Sequence, residues 1–406
     1  MGPRAPFFCG TMPKDKIYTL QFALLCFSSF LFFSSFNMIV PDLYDYLTSL
    51  GGGEYKGYII SLFTVTAGLS RPFSGKLSDT IGRIPVMIIG AGVCFVMGFI
   101  YPLLGSVWAF LLLRFCHGFS TGFKPTGTAA YIADIVPAHR RGEAMGYSGF
   151  FSSLGMAAGP GFGPVITANF GLDTMFYTSS GLAMLSIVIL IGMKETLPNR
   201  QRFRPALLKV RKNEVIEPRV FNPSIIFLLT SFSFGAALTI MPDLTESVGF
   251  SDSNKGLFFT IFVASSLLIR ITAGKISDKY GRVIVLKYAA LAIIVADLMV
   301  AFTTTPEMFY ASSIAFGIAV GMNTPTIYAW TVDLSLEKAR GKGLATMYIA
   351  LEIGIGLGAF ISGYIYSNEI ANVKYAFFAC AVLALVAFLF LNFGLNWTRK
   401  LVKETA

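Results

Sequence analysis

The chain has 406 residues, of which 54% are hydrophobic and only 13% charged, with a mean hydropathy of +0.66. A soluble globular chain carries roughly a quarter charged residues, so the composition excludes an ordinary soluble domain. The formal net charge of +10 does not argue for nucleic-acid binding, because the basic residues sit in short segments between apolar runs, where they anchor a membrane protein on its cytoplasmic side.

Those apolar runs are long and continuous rather than short and alternating, which selects helices over a barrel. Runs of about 20 residues predict twelve transmembrane helices, over residues 17–40, 57–74, 84–104, 107–133, 144–168, 172–193, 223–241, 256–273, 283–302, 306–332, 343–366 and 373–396. Residues 1–14 lack the order of a cleaved leader, so the first helix is expected to remain. With both termini inside, Lys76, Arg83, Arg141, Lys275, Arg282 and Lys342 fall on the cytoplasmic face with the basic ends of the chain. Lys56, Lys255 and Lys374 alone fall opposite. The one long polar stretch, 194–221, reads as a cytoplasmic linker with an amphipathic surface helix, dividing a bundle at 1–193 from one at 222–406. Cys9, Cys26, Cys94, Cys116 and Cys380 show no metal or redox spacing and read as small hydrophobes.

The two halves align at a constant offset. Arg71, Gly75, Lys76, Ser78, Asp79, Gly82 and Arg83 reappear 199 positions on as Arg270, Gly274, Lys275, Ser277, Asp278, Gly281 and Arg282. The same shift maps Gly118, Gly122, Asp134, Gly155 and Gly159 onto Gly317, Gly321, Asp333, Gly354 and Gly358, and Pro41-Asp42-Leu43 recurs as Pro242-Asp243-Leu244. An internal repeat in a helical membrane protein is the architecture of secondary transporters, which hold substrate between the halves near the midplane.

The duplicated segment Gly75-Lys-Leu-Ser-Asp-Thr-Ile-Gly-Arg83 must turn tightly between two spans, which its glycines permit. Asp79 is suited to accept backbone hydrogen bonds at a helix N-terminus, and Arg83 to pair with Asp134 at the end of the fourth span. With this segment and its copy, the chain resembles the major facilitator superfamily over nearly its whole length. The resemblance implies an all-α polytopic protein of two pseudo-symmetric six-helix bundles and a rocker-switch cycle. It further implies a conformational latch formed by Gly75, Asp79, Gly82, Arg83 and Asp134 with Gly274, Asp278, Gly281, Arg282 and Asp333.

Two further segments bear on function. Gly155-Met-Ala-Ala-Gly159-Pro160-Gly-Phe-Gly163-Pro164 resembles the antiporter motif of that superfamily's drug/proton branch, departing at Pro164; small residues there allow close helix approach. In the fourth helix, Arg114, His117, Thr121 and Lys124 fall within an arc of about 80° at 100° per residue. Cations inside a span are costly, so Arg114 and Lys124 are expected to face a wet cavity or a carboxylate, while His117 is either a group that titrates near neutral pH or a satisfied polar residue of a helix interface. Arg114 and Gly118 match the superfamily's fourth-helix motif, which implies a role for Arg114 in proton coupling; His117 stands where glutamine is usual. Glu352, about 15 Å into its helix, together with Asp42 and Asp243 at external helix ends, completes the candidates for proton coupling or substrate binding. Asp297 reads as structural, and Arg71 and Arg270 as snorkelling to the membrane face.

The expected function is proton-coupled efflux of a small organic molecule such as a drug or metabolite, with uptake by symport as the alternative. The expected driving force is the proton gradient, with no cofactor and no metal. The expected partners are a small-molecule substrate and membrane lipid, with no nucleic acid, and the chain is expected to act as a monomer. A membrane enzyme would need a catalytic cluster around His117 or His139, and an ATP-driven pump a G-x-x-x-x-G-K-[ST] loop; the sequence has neither.

Overall fold

A computed structural model describes residues 19–136, 141–198, 200–209, 215–335 and 340–395. Cys9, His139 and the basic residues of both chain ends lie outside these. The described residues form helices without strands: α1 (Leu20–Met38), α2 (Leu43–Ser49), α3 (Lys56–Thr80), α4 (Arg83–Ile100), α5 (Val107–His117), α6 (Phe119–Ile135), α7 (Arg141–Phe170), α8 (Leu172–Ile191), α9 (Phe221–Ser247), α10 (Leu257–Tyr280), α11 (Arg282–Ala301), α12 (Pro306–Leu334), α13 (Arg340–Tyr366) and α14 (Val373–Leu389). Counting α1 with α2 and α5 with α6 as single rods, the described residues make twelve rods.

Seven rods are long and apolar enough by themselves to cross a membrane. The other five contain α3, α5 with α6, α7, α10 and α12. These carry in-span groups such as Arg71, Arg114, Lys124 and Arg270, or repeated glycine and proline, and all five help line one central cavity. Their lower hydropathy comes from those in-span charged and small residues, several of which face the cavity rather than lipid.

Packing obeys the repeat. In the first half α1 packs on α7, α3 on α6 and α4 on α8; in the second α9 packs on α13, α10 on α12 and α11 on α14. The halves meet through α3 on α13 and α7 on α10, which are one contact seen twice under the 199-residue shift. Within lipid no hydrophobic force drives helices together, so close approach of small residues carries the packing. The α7 glycines supply it: a Cβ on Gly155 would stand 2.5 Å from the Phe30 carbonyl oxygen, and one on Gly163 2.1 Å from that of Met38. Their second-half counterparts seat α13 on α9 likewise, with Gly358 approaching Phe232.

Three sequence expectations change. The first rod does not end at Val40 but turns at Ile39–Asp42, around Pro41, and continues as α2. In the second half the corresponding Pro242 sits inside the unbroken α9. The fourth span carries a one-residue irregularity at Gly118, between α5 and α6, where the backbone keeps helical dihedrals of φ −58° and ψ −27°. The expected amphipathic linker helix is absent among the described residues, where only the short 3-10 turns Pro205–Leu208 and Pro218–Val220 occur. Pro198, Pro205 and Pro218 interrupt any longer helix there.

Candidate substrate cavity and gates

The repeated segment is not a loop but a two-residue reversal. α3 runs to Thr80 and α4 begins at Arg83, with Gly82 at φ 125°. The copy reverses at Gly281, φ 94°, a conformation that side-chain-bearing residues rarely adopt. Arg83 donates from Nε to Asp134 at 3.0 Å and from Nη1 to Asp79. Arg282 repeats this with Asp333 at 2.9 Å and Asp278 at 2.5 Å. Each cluster stays within its own half. Asp79 does not cap the following helix as expected, because its carboxylate is taken by Arg83. Glu195 of the linker caps α4 instead, accepting from the Arg83 and Ile84 amides at 3.1 and 3.0 Å. The linker is further strapped to α3 by Gln201 N to Thr80 O at 2.9 Å and by Lys76 Nζ to Lys209 O at 2.5 Å.

Between the halves lies a cavity of about 2230 Å3. It runs from this repeated-turn end, where Gly75, Asp79, Arg282 and Asp333 line its mouth, to Val40, Ile60 and Leu238 at its floor. Gly75 and Gly274 face open space: a Cβ on either would meet nothing within 4 Å.

Beyond the floor the halves are sealed. Lys56 of the first half donates to Asp243 of the second at 2.7 Å, and Tyr366 also donates to Asp243 at 2.8 Å. Lys255, the 199-residue counterpart of Lys56, reaches back to Asp45 of the first half and to Glu246 at 2.5 Å. Tyr44 donates to the Leu238 carbonyl across the same seam. The seal is therefore two reciprocal lysine clamps. Between them the backbones touch. A Cβ on Gly256 would lie 1.6 Å from Pro160 O, and one on its counterpart Gly57 2.9 Å from Ala359 O. The antiporter-like segment thus has two faces, Gly155, Gly159 and Gly163 against α1 and Pro160 against the opposite half.

Asp42 and Asp243 lie at this sealed end, outside the cavity lining, so neither is placed to contact a cavity substrate. Nor do they share one task. Asp243 clamps Lys56, whereas Asp42 accepts from Thr167 of its own half at 2.8 Å. The helix break at Pro41 turns Asp42 inward and hands the cross-half role to Asp45.

The fourth-helix stripe divides. Arg114, Thr121 and Lys124 reach the cavity lining, but His117 does not. His117 is fully buried in the wall, its Nδ1 3.4 Å from the Tyr101 hydroxyl and its ring edge-on to Phe63. Arg114 donates to the Ile59 carbonyl at 2.9 Å and lies 4.6 Å from the centre of the Phe63 ring. Lys124 donates to Ser28 Oγ at 3.0 Å. Among the described residues neither cation has a carboxylate partner, against the expectation that Lys124 would find one unless substrate supplies it.

Arg71 does not snorkel. It is 6% exposed, and its guanidinium donates to Glu352, 8% exposed, at 3.0 Å across the two halves. Its other face lies 4.2 Å from the Tyr348 ring centre. Arg270, its repeat counterpart, crosses to the first half in the same way but meets the Ser153 hydroxyl at 2.9 Å. Asp297 accepts from Ser233 at 2.8 Å, away from the cavity.

Sequence reasoning had no place for Lys56, Lys255, Asp45, Glu195 or Ser153 in the site. The signal was present for the lysines, since 56 and 255 obey the same offset as the turn motif.

The chain is 27% identical over 270 residues to Multidrug resistance protein 2 of Bacillus subtilis, covering 64% of this chain and 67% of that one. It is 27% identical over 393 residues to the Multi-drug resistance efflux pump PmrA homolog of Lactococcus lactis, covering 91% and 94%. Its fold matches the crystal structure of the human organic anion transporter TETRAN with a TM-score of 0.73 at 19% identity, over 91% and 98% of the chains. The Major Facilitator Superfamily model matches residues 25–228 and 223–404. With the repeated turns, the paired bundles and the cavity between them, the chain belongs to the Major Facilitator Superfamily, a multi-pass membrane transporter.

Proposed function

We propose that the protein exports a small organic molecule in exchange for protons by alternating access, acting as a monomer in a cytoplasmic membrane. The bundles are residues 1–193 and 222–406, joined by the linker 194–221. Both termini and the repeated turns face the cytoplasm, where the lysines and arginines gather, so the cavity is open inward. The printed names of the bacterial relatives support export of drug-like molecules.

The observation that carries the reading is a large cavity closed at one end and bridged at depth by a buried ion pair, Arg71–Glu352. This pair ties α3 to α13 across the seam along which the halves must rock. A proton on Glu352 removes its charge and releases Arg71, so proton binding and movement of the halves share one bond. Arg114 and Lys124 present positive charge to the same space. The turn clusters of Gly75, Asp79, Gly82, Arg83 and Asp134, and of Gly274, Asp278, Gly281, Arg282 and Asp333, meet across the halves when the mouth closes.

The test is a substrate panel on protein in liposomes under an imposed pH gradient, with a trapped pH dye. Transported compounds should drive protons the opposite way, and Glu352→Gln should stop proton movement while substrate still exchanges. Protons moving with substrate would establish symport, and substrate moving without protons would refute coupling.

A further inference from the structure

The halves repeat each other in outline, and the departure at the paired arginines Arg71 and Arg270 falls inside the cavity. Arg71 on α3 and Arg270 on α10 are counterparts, and each reaches the helix facing it in the other half, α13 or α7. For Arg71 the facing helix supplies a carboxylate and a ring four residues apart, Glu352 and Tyr348. For Arg270 the same two positions, shifted by 199, are Ser153 and Gly149. Ser153 offers a neutral hydroxyl at 2.9 Å. Gly149 leaves the ring position vacant, since a Cβ there would meet nothing within 4 Å. Arg270, Ser153 and Gly149 all line the cavity.

From this we propose that the transported molecule is an aromatic acid, whose carboxylate pairs with Arg270 and whose ring lies beside the guanidinium over Gly149. The proposal rests on the reading of the cavity as the substrate site. The substrate then supplies to Arg270 what α13 supplies to Arg71. A largely buried guanidinium without a carboxylate is costly in a span, and its planar fork suits a carboxylate bidentately and an aromatic face by stacking. The cavity field has the matching sign. Among the described residues, seven basic side chains line it against three carboxylates. Of those three, Asp79 and Asp333 are at the mouth and engaged by Arg83 and Arg282, and Glu352 is engaged by Arg71.

The test compares binding to purified full-length protein, by ligand-induced thermal shift and equilibrium dialysis, of several aryl carboxylates, their primary amides and quaternary ammonium analogues on the same rings. Wild type should bind the acids at least tenfold more tightly than the amides. Arg270→Gln should erase that preference and Arg270→Lys should retain part of it. Ser153→Glu should erase it as well, by giving Arg270 an internal carboxylate, while raising the melting temperature of the empty protein. That variant keeps the question open to an answer if Arg270→Gln does not fold. Equal binding of acids and amides, preference for the ammonium series, or an acid preference that survives Ser153→Glu would each overturn the assignment. Preference for the ammonium series would still leave proton-driven export standing, and that export is tested separately by the pH-gradient assay.

Discussion

Gly256 offers the sharpest test of how the closed end of the cavity is sealed. A methyl group there would stand 1.6 Å from Pro160 O and 2.3 Å from its carbonyl carbon, whereas non-bonded atoms settle near 3.5 Å. An overlap of about 2 Å cannot be relieved by retreat of α7 within its own half. Gly159 and Gly163 already hold that helix against the α1 backbone, with added Cβ atoms at 2.6 and 2.1 Å from Ser34 O and Met38 O. The seam itself must therefore part. Overpacking costs of about 1–3 kcal/mol correspond to roughly a 5- to 150-fold change in a two-state ratio, here against the sealed arrangement. Gly256→Ala should speed labelling of a cysteine placed at Leu238, on the cavity floor, by a membrane-impermeant thiol reagent applied from the sealed side. Gly105→Ala, where an added Cβ meets nothing within 4 Å, is the control and should leave the rate unchanged. A Gly256→Ala protein that folds and labels no faster than the control would refute a seal built on backbone contact.

Other outcomes follow from the charges. Exchanging the clamp as Lys56→Asp with Asp243→Lys should restore much of the transport lost in either single variant, because the 2.7 Å pair is regained with reversed sign; absence of rescue would mean that the lysine acts otherwise. Arg71→Gln or Glu352→Gln should each cost about 3–5 kcal/mol as a broken buried pair, and the double variant less than the sum, read as melting temperatures in a double-mutant cycle. Lys124→Met should leave thermal stability unchanged or raised, since no carboxylate of a described residue depends on Lys124, and should weaken substrate binding; a drop in melting temperature without loss of binding would assign the lysine to structure. Glu195→Ala should destabilise by about 1–2 kcal/mol through loss of the α4 cap, measured by thermal unfolding, and leave ligand preference intact.

The class of fold was legible because hydropathy and positional repetition are properties of single helices. Twenty apolar residues predict a span wherever it packs, and a 199-residue offset predicts two like bundles. What stayed hidden depended on which helices face each other. Arg71 near a helix end looks like a snorkelling side chain until α13 is set against α3, which brings Glu352, 281 positions away in sequence, to its guanidinium. Asp42 and Asp243 occupy repeated positions, but the first rod turns at Pro41 while α9 runs unbroken through Pro242, so the two carboxylates meet different partners. His117 shares the fourth-helix stripe with Arg114 but reads from sequence either as a titrating group or as a satisfied polar residue of a helix interface, and it is the latter position that it takes. Tyr101, Cys94 and Phe63 packed around its ring hold it in the wall. Glu195 lay in a polar stretch read as linker, so its capping role had no local signature.

The distribution of glycine along α3 has a mechanical meaning. Gly57 near one end is pressed against α13, while Gly75 near the other faces empty space. About 27 Å of helix separates them, and α10 carries the same pair as Gly256 and Gly274. On the proposed rocking cycle, a bare position that touches nothing in this pose becomes the contact of the opposite one, in which the far ends part and the near ends meet. The two helices thus behave as rockers with a bare pad at each tip. Their stroke ends where backbone meets backbone, and the travel of the machine is set by how little protrudes at four positions.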